Sequence, residues 1–178
     1  MKTIRLYFAV SVAAILAVVS SVTTTSAETH MKLTQKDCSS IFSWTQYCQT
    51  SRTTDGELYC KAWFDRRGFG DDVDEFLGYV FAKPLLIQGK QTRLLVGVTE
   101  SGRISRVKLE GNDLINQEFL SQFEGKRLRD SFEIAKSLDD ILYEPSRVKA
   151  IRGDIETSQL IANAVKEALS SAKKSASN

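Results

Sequence analysis

The most constraining feature of this sequence is a helical repeat of apolar residues between Thr157 and about residue 172. The repeat consists of Leu160, Ile161, Ala164, Val165, Ala168 and Leu169, and the charged residues Lys166, Glu167 and Lys173 fall outside it. Because an α-helix has about 3.6 residues per turn, the apolar positions share one face. The pattern therefore predicts an amphipathic helix whose apolar face must be covered by another layer of the fold.

A group of short strands is expected to provide that layer. Three segments before the helix are rich in Leu, Val and Ile, at Gly78–Phe81, Arg93–Thr99 and Arg103–Leu109. Residues 100–102, Glu-Ser-Gly, form a tight turn between the last two segments, as in an antiparallel hairpin. Gln117–Phe123 predicts a short helix, and Phe132–Ala135 predicts a further short strand. The expected fold class is α+β: a small antiparallel sheet meander with a short helix and a C-terminal amphipathic helix.

The region before these strands is rich in aromatic residues. Residues 28–37 are polar and are interpreted as a lead-in, after which Ile41–Cys48 and Glu57–Phe64 predict two extended segments. Thr54, Asp55 and Gly56 supply the turn between them, which predicts a hairpin. The aromatic side chains of these segments are expected in the core rather than on a ligand-stacking surface.

Three cysteines, Cys38, Cys48 and Cys60, lie close together in the sequence, so at least one is left over from any disulfide. Three pairings are possible, and the sequence does not choose among them. We expect one bridge and one buried thiol. A redox or metal role is the alternative, but the chain has no CxxC motif, and its single histidine, His30, offers little for a metal site. No metal site is therefore predicted.

The N-terminus has the pattern of a secretory signal. Lys2 and Arg5 precede an apolar run over residues 6–22, and Thr25, Ser26 and Ala27 form a small-residue cleavage site. This pattern predicts cleavage after residue 27 and an exported protein, periplasmic or extracellular, with an uncleaved membrane anchor as the alternative. No later apolar run is long enough to span a bilayer, so no direct membrane insertion is expected after cleavage.

Charge argues against nucleic acid as a partner. The chain has 24 Lys and Arg against 22 Asp and Glu, and removal of Lys2 and Arg5 with the signal leaves the two signs balanced. A neutral protein lacks the basic surface that a phosphate backbone requires.

Three pieces of the sequence follow one another in the order strand, turn and strand, then short helix, then a glycine loop that enters a helix. They are LLVGVTESGRISRVKLEG at 94–111, FLSQFEGK at 119–126 and IRGDIETSQLIANAVKEAL at 151–169. Together they resemble the FMN-binding domain family. The resemblance covers about residues 76–170. With the signal pattern and the composition of the rest, it implies a division into a signal peptide (1–27), a Cys- and aromatic-rich N-terminal extension (28–75), an FMN-binding-like domain (76–173) and a polar tail (174–178). Within the C-terminal part, the polar residues from 170 onward are expected to fray.

The third piece carries the residues that the resemblance assigns to the cofactor. Gly153, Thr157 and Ser158 match the family motif, whereas Ile155 stands where many members attach the FMN phosphate to a threonine. Ile155 has no hydroxyl, so the resemblance implies a non-covalent FMN. Arg152 is assigned to the same site, and Asn112 lies in the loop that approaches the flavin ring in the family.

Asp154 and Glu156 alter the electrostatics of this loop. A helix N-terminus attracts anions through its dipole and its free N–H groups. The two carboxylates are expected to cap these groups and to oppose a phosphate by about 1–2 kcal/mol. Arg147, Lys149 and Arg152 are the cations expected to offset them.

The sequence is compatible with two functions. The first is a non-covalent flavin carrier in extracytoplasmic electron transfer, which implies a redox or membrane-complex protein as partner. The alternative is a flavin-less interaction or accessory module that keeps the fold. No residue is predicted to be catalytic, and the only enzymatic role that the sequence suggests is that of a redox flavoprotein.

Overall fold

A five-stranded antiparallel sheet is the central layer of the fold in the computed structural model, which describes residues 32–67, 70, 73–113, 115–144 and 146–177. Its strands follow the chain in the order β1 (Tyr47–Arg52), β2 (Leu58–Phe64), β3 (Glu75–Ile87), β4 (Lys90–Thr99) and β5 (Ile104–Glu110). The helices are α1 (Gln35–Ile41), α2 (Gln117–Ser121), α3 (Leu138–Tyr143) and α4 (Ile155–Ala176), and a parallel pair is formed by β6 (Ile134–Ala135) and β7 (Val148–Lys149). The predicted α+β class, with its meander and C-terminal helix, is confirmed. The predicted signal peptide lies outside the described residues.

Side chains alternate between the two faces of the sheet, and each face is covered by a helix. Leu94, Val96 and Val98 of β4 belong to the larger core, together with the apolar face of α4. Leu95 belongs to a smaller core with Cys38 and Ile41 of α1. The sheet is thus buried on both faces, by α4 on one and by α1 on the other, as the period of two along a strand requires.

The approach of α1 to the sheet is close at Gly97. A Cβ at this position would overlap Cγ2 of Ile41, so only glycine lets the helix pack at this distance. In the register of β4 and β5, Gly97 pairs with Arg106, which therefore lies on the same face of the sheet as α1.

Helix α1 corrects the prediction of a polar lead-in at 28–37 and of an extended segment from Ile41. Thr34 and Asp37 form a reciprocal capping box, and Asp37 accepts from the Thr34 N–H at 2.7 Å. A capping box stabilises a helix start, so these polar residues begin a short helix. The strand β1 starts only at Tyr47.

The aromatic residues are divided between core and surface. Tyr59 is buried, as expected, but Trp44 is 75% exposed and Tyr47 is 37% exposed. The prediction that this group lies in the core is wrong for Trp44, which lies between α1 and the first strand, and for Tyr47, which begins the edge strand β1.

The C-terminal helix is longer than predicted. It begins at Ile155 and continues to Ala176, past the point at which fraying was expected. Its last turns are held to the β1–β2 hairpin, since Lys174 pairs with Asp55 at 2.5 Å and the Ser171 hydroxyl donates to Glu57 at 2.6 Å. These contacts explain why a polar sequence remains helical there.

Strand β3 is also longer than the predicted Gly78–Phe81, because it extends from Glu75 to Ile87 and includes Pro84. Pairing with β2 ends at Phe81, so Pro84 lies where β3 has a neighbour on one side only. A strand edge tolerates proline, which has no N–H to donate.

Cys48 and Cys60 form a disulfide across the β1–β2 pair, and Cys38 is a buried free cysteine. The expected arrangement of one bridge and one buried thiol is confirmed, and the pairing that the sequence left open is Cys48 with Cys60. Within the described part of the chain, no helix combines the length and hydrophobicity needed to cross a bilayer.

Candidate functional site

Four of the five residues that the resemblance assigns to the cofactor lie in the loop that enters α4 or in the first turn of that helix. Gly153 has a φ of +79°, a backbone conformation that favours glycine. No atom outside its immediate neighbours lies within 4 Å of the position that a Cβ would take, so the space beside Gly153 is open. Glycine is therefore required at this position for its backbone angle, and the open space leaves room for a ligand.

Asp154 is the N-cap of α4. Its carboxylate accepts a hydrogen bond from the Thr157 N–H at 2.9 Å and another from Nε2 of Gln88 at 3.4 Å. Hydrogen bonds from Thr157, first from its side chain and then from its backbone, hold the pKa of Asp154 below its usual value. The predicted self-capping is present, with Asp154 as the capping residue.

Thr157 and Ser158 face inward rather than into open space. Ser158 is fully buried, and its hydroxyl donates to the Asp154 carbonyl at 2.6 Å and accepts from the Ile151 N–H at 2.8 Å. Thr157 is 9% exposed. Both residues therefore fix the shape of the loop, and neither offers its side chain directly to a ligand.

An open pocket of about 530 Å³ lies beside this loop. It is lined by Ala135, Lys136, Ala150, Ile151, Arg152, Gly153, Asp154, Ile155 and Glu156. Ligand pockets are typically about 300–1,000 Å³, so its size suits a small molecule. The lining contains two exposed cations, Lys136 and Arg152, and two carboxylates, Asp154 and Glu156, so its formal charge is balanced. Ile155, which is 45% exposed, adds an apolar surface.

Asn112 is not part of this lining. Asn112 is 8% exposed and follows Gly111. A Cβ at Gly111 would lie 3.4 Å from the carbonyl oxygen of Gln91 in β4. The structure thus brings Arg152 and Gly153 together in the pocket lining, with Thr157 and Ser158 buried in the first turn of α4. Asn112 lies outside this lining, as a buried residue between the exposed Gly111 and Asp113.

Two residues of the site carry no signal that a motif search would detect. Lys136 reaches the pocket because β6 pairs with β7, which places Ala135 opposite Lys149. Gln88 reaches Asp154 from the β3–β4 turn, 66 residues earlier in the chain. Arg147, expected to offset the acidic loop, pairs instead with Glu133, Asp140 and Glu144.

No protein-family model matches the chain, and no curated protein matches its sequence.

Proposed function

We propose that this protein is an exported flavin carrier that binds FMN non-covalently in the pocket beside Gly153 and works with a redox or membrane-complex protein outside the cytoplasm. The observation that carries the proposal is the open pocket of about 530 Å³ at the helix entry that the family resemblance assigns to FMN. The secretory pattern at residues 1–27 supports the location.

The donor set of the pocket fits a flavin that is held by side chains. Lys136 and Arg152 are the cations that would bind the phosphate, since Asp154 already occupies the Thr157 N–H. The exposed side chain of Ile155 would pack against the flavin or ribityl group. Bound FMN would supply one- or two-electron transfer, and the protein's part is to hold and orient it.

Absorbance of the protein purified from its native compartment tests this proposal. We expect flavin bands that move to the supernatant after acid precipitation, because no covalent link forms at Ile155. Arg152→Gln should weaken FMN binding about tenfold in a fluorescence titration, as loss of one charge-assisted contact predicts. Arg106→Gln, the same change on the opposite side of the sheet, is the control and should bind like the wild type. If Arg152→Gln bound FMN with the same affinity as Arg106→Gln, the proposed site would be rejected.

The alternative, a flavin-less accessory module, has one specific observation in its favour. The Asp154 carboxylate occupies a helix N-terminal donor that would otherwise be available to a phosphate. A colourless protein that takes up no added FMN would favour this function, and its partner protein would then be sought by co-purification.

A further inference from the structure

A second pocket, of about 340 Å³, lies near the other end of α4. It is lined by Tyr79, Val98, Leu128, Leu169, Ala172 and Ala176, by the turn at residues 99–102, and by Arg127, Arg129 and Lys173. About 14 residues of helix separate Ile155 from Leu169, which is about 20 Å at 1.5 Å per residue. This second pocket is therefore separate from the one beside Gly153.

The second pocket combines an apolar floor with a cationic rim. Its floor consists of side chains from the sheet, from α4 and from the segment after α2, among them Val98, Leu128 and Leu169. Three cations and a single carboxylate, Glu100, stand in the lining, so its formal charge is positive. An apolar surface with a few convergent polar groups is the usual composition of a small-molecule site.

Arg127, Arg129 and Lys173 form no ion pair with any residue that the structure describes. Nε of Arg127 is buried and has no hydrogen-bond acceptor in that same part of the chain. A buried donor without an acceptor is costly, so the Arg127 guanidinium has hydrogen-bonding capacity that its described neighbours do not use.

We infer that the second pocket binds a small organic anion with an apolar body, of the class of aliphatic or aromatic carboxylates. The carboxylate is bound by Arg127, whose planar guanidinium suits this group, and Arg129 and Lys173 add attraction at the rim. The apolar body lies against Val98, Leu128 and Leu169. This inference concerns a different pocket from the proposed flavin site and does not depend on it.

Titration of the purified protein with octanoate, followed by NMR at the Gly102 amide, tests the inference. We expect saturable binding, and we expect the uncharged 1-octanol to bind about tenfold more weakly, because it offers no charge to the rim. Equal affinity for the two ligands would reject an anion site. Absence of octanoate binding at millimolar concentrations would reject the pocket as a carboxylate site.

Variants locate the site. Arg127→Gln should weaken octanoate binding about tenfold, whereas Arg106→Gln, which removes the same charge on the α1 side of the sheet, should leave it unchanged. Ala176→Trp fills the pocket from an exposed position in the last turn of α4, so it should abolish binding without disturbing the core. Full affinity in both Arg127→Gln and Ala176→Trp would place the ligand elsewhere and overturn the inference.

Discussion

Removing one partner of the ion pair between Asp37 and Arg93 should strongly destabilise the protein, and Asp37→Asn tests this. Nη2 of Arg93 lies 2.9 Å from Oδ2 of Asp37, and their side chains are 17% and 8% exposed. Removing one partner of a buried pair typically costs about 3–5 kcal/mol, because the other charge remains buried. In the Asp37→Asn variant, Arg93 still has the Glu110 carboxylate 3.2 Å away, so its charge is not left unpaired and the lower end of that range applies. We expect a loss of about 3 kcal/mol.

Thermal and urea unfolding measure this loss. For a chain of this size, about 3 kcal/mol corresponds to a decrease in Tm of about 8 °C. Arg93→Met should cost a similar amount, and the double variant should cost clearly less than the sum of the two, because neither charge is then left alone. A Tm of Asp37→Asn within about 2 °C of the wild type, or strictly additive effects, would refute the reasoning.

The same pair predicts a pH dependence. Burial pushes the pKa of Asp37 upward, but hydrogen bonds from Arg93 and Thr34 outweigh burial and hold the pKa below its ordinary value of 3.8. A depressed pKa in the folded state means that the stabilisation is complete above the ordinary value and is lost as pH falls through the folded value. The stability difference between wild type and Asp37→Asn should therefore be constant near neutral pH and should shrink below about pH 4.

Two further predictions concern α1 and its neighbours. Burial raises the pKa of the Cys38 thiol to about 12. Iodoacetamide at pH 8 should therefore alkylate Cys38 slowly in the native protein and rapidly after unfolding, with the modification measured by mass spectrometry. Fast alkylation of the native protein would contradict the burial of Cys38. Gly97→Ala should destabilise the protein by about 1–3 kcal/mol in urea, since its Cβ would overlap Ile41; an unchanged midpoint would show that α1 packs less closely.

The elements that the sequence predicted well are those with a strong local pattern. Six apolar residues at helical spacing identified α4, and the Glu-Ser-Gly turn at residues 100–102 identified the β4–β5 hairpin. Helix α1 has only seven residues, too few for periodicity, and its main sequence signal is the capping box of Thr34 and Asp37. A short helix with a polar start therefore resembles a loop in sequence.

The two pockets could not be predicted because their linings come from distant segments. Lys136 approaches Arg152 through the pairing of β6 with β7, and Arg127 approaches Leu169 through the packing of α4 on the sheet. Neither pair has a sequence spacing that indicates contact. The resemblance assigned Gly153 and Arg152 to the cofactor because they belong to one contiguous motif, and it gave no information on the other residues that line the pocket.

In the proposed flavin site, Asp154 would link the stability of α4 to the affinity for FMN. Its carboxylate caps the helix, and the same negative charge would oppose a phosphate held by Lys136 and Arg152, which line the pocket with it. Asp154→Ala should lose about 1 kcal/mol of stability, as removal of an N-cap usually does. Asp154→Ser keeps a capping oxygen without the charge, so we expect nearly wild-type stability and tighter FMN binding. If Asp154→Ser bound FMN no better than the wild type, phosphate would not be held next to the helix entry, and the cap would serve stability alone.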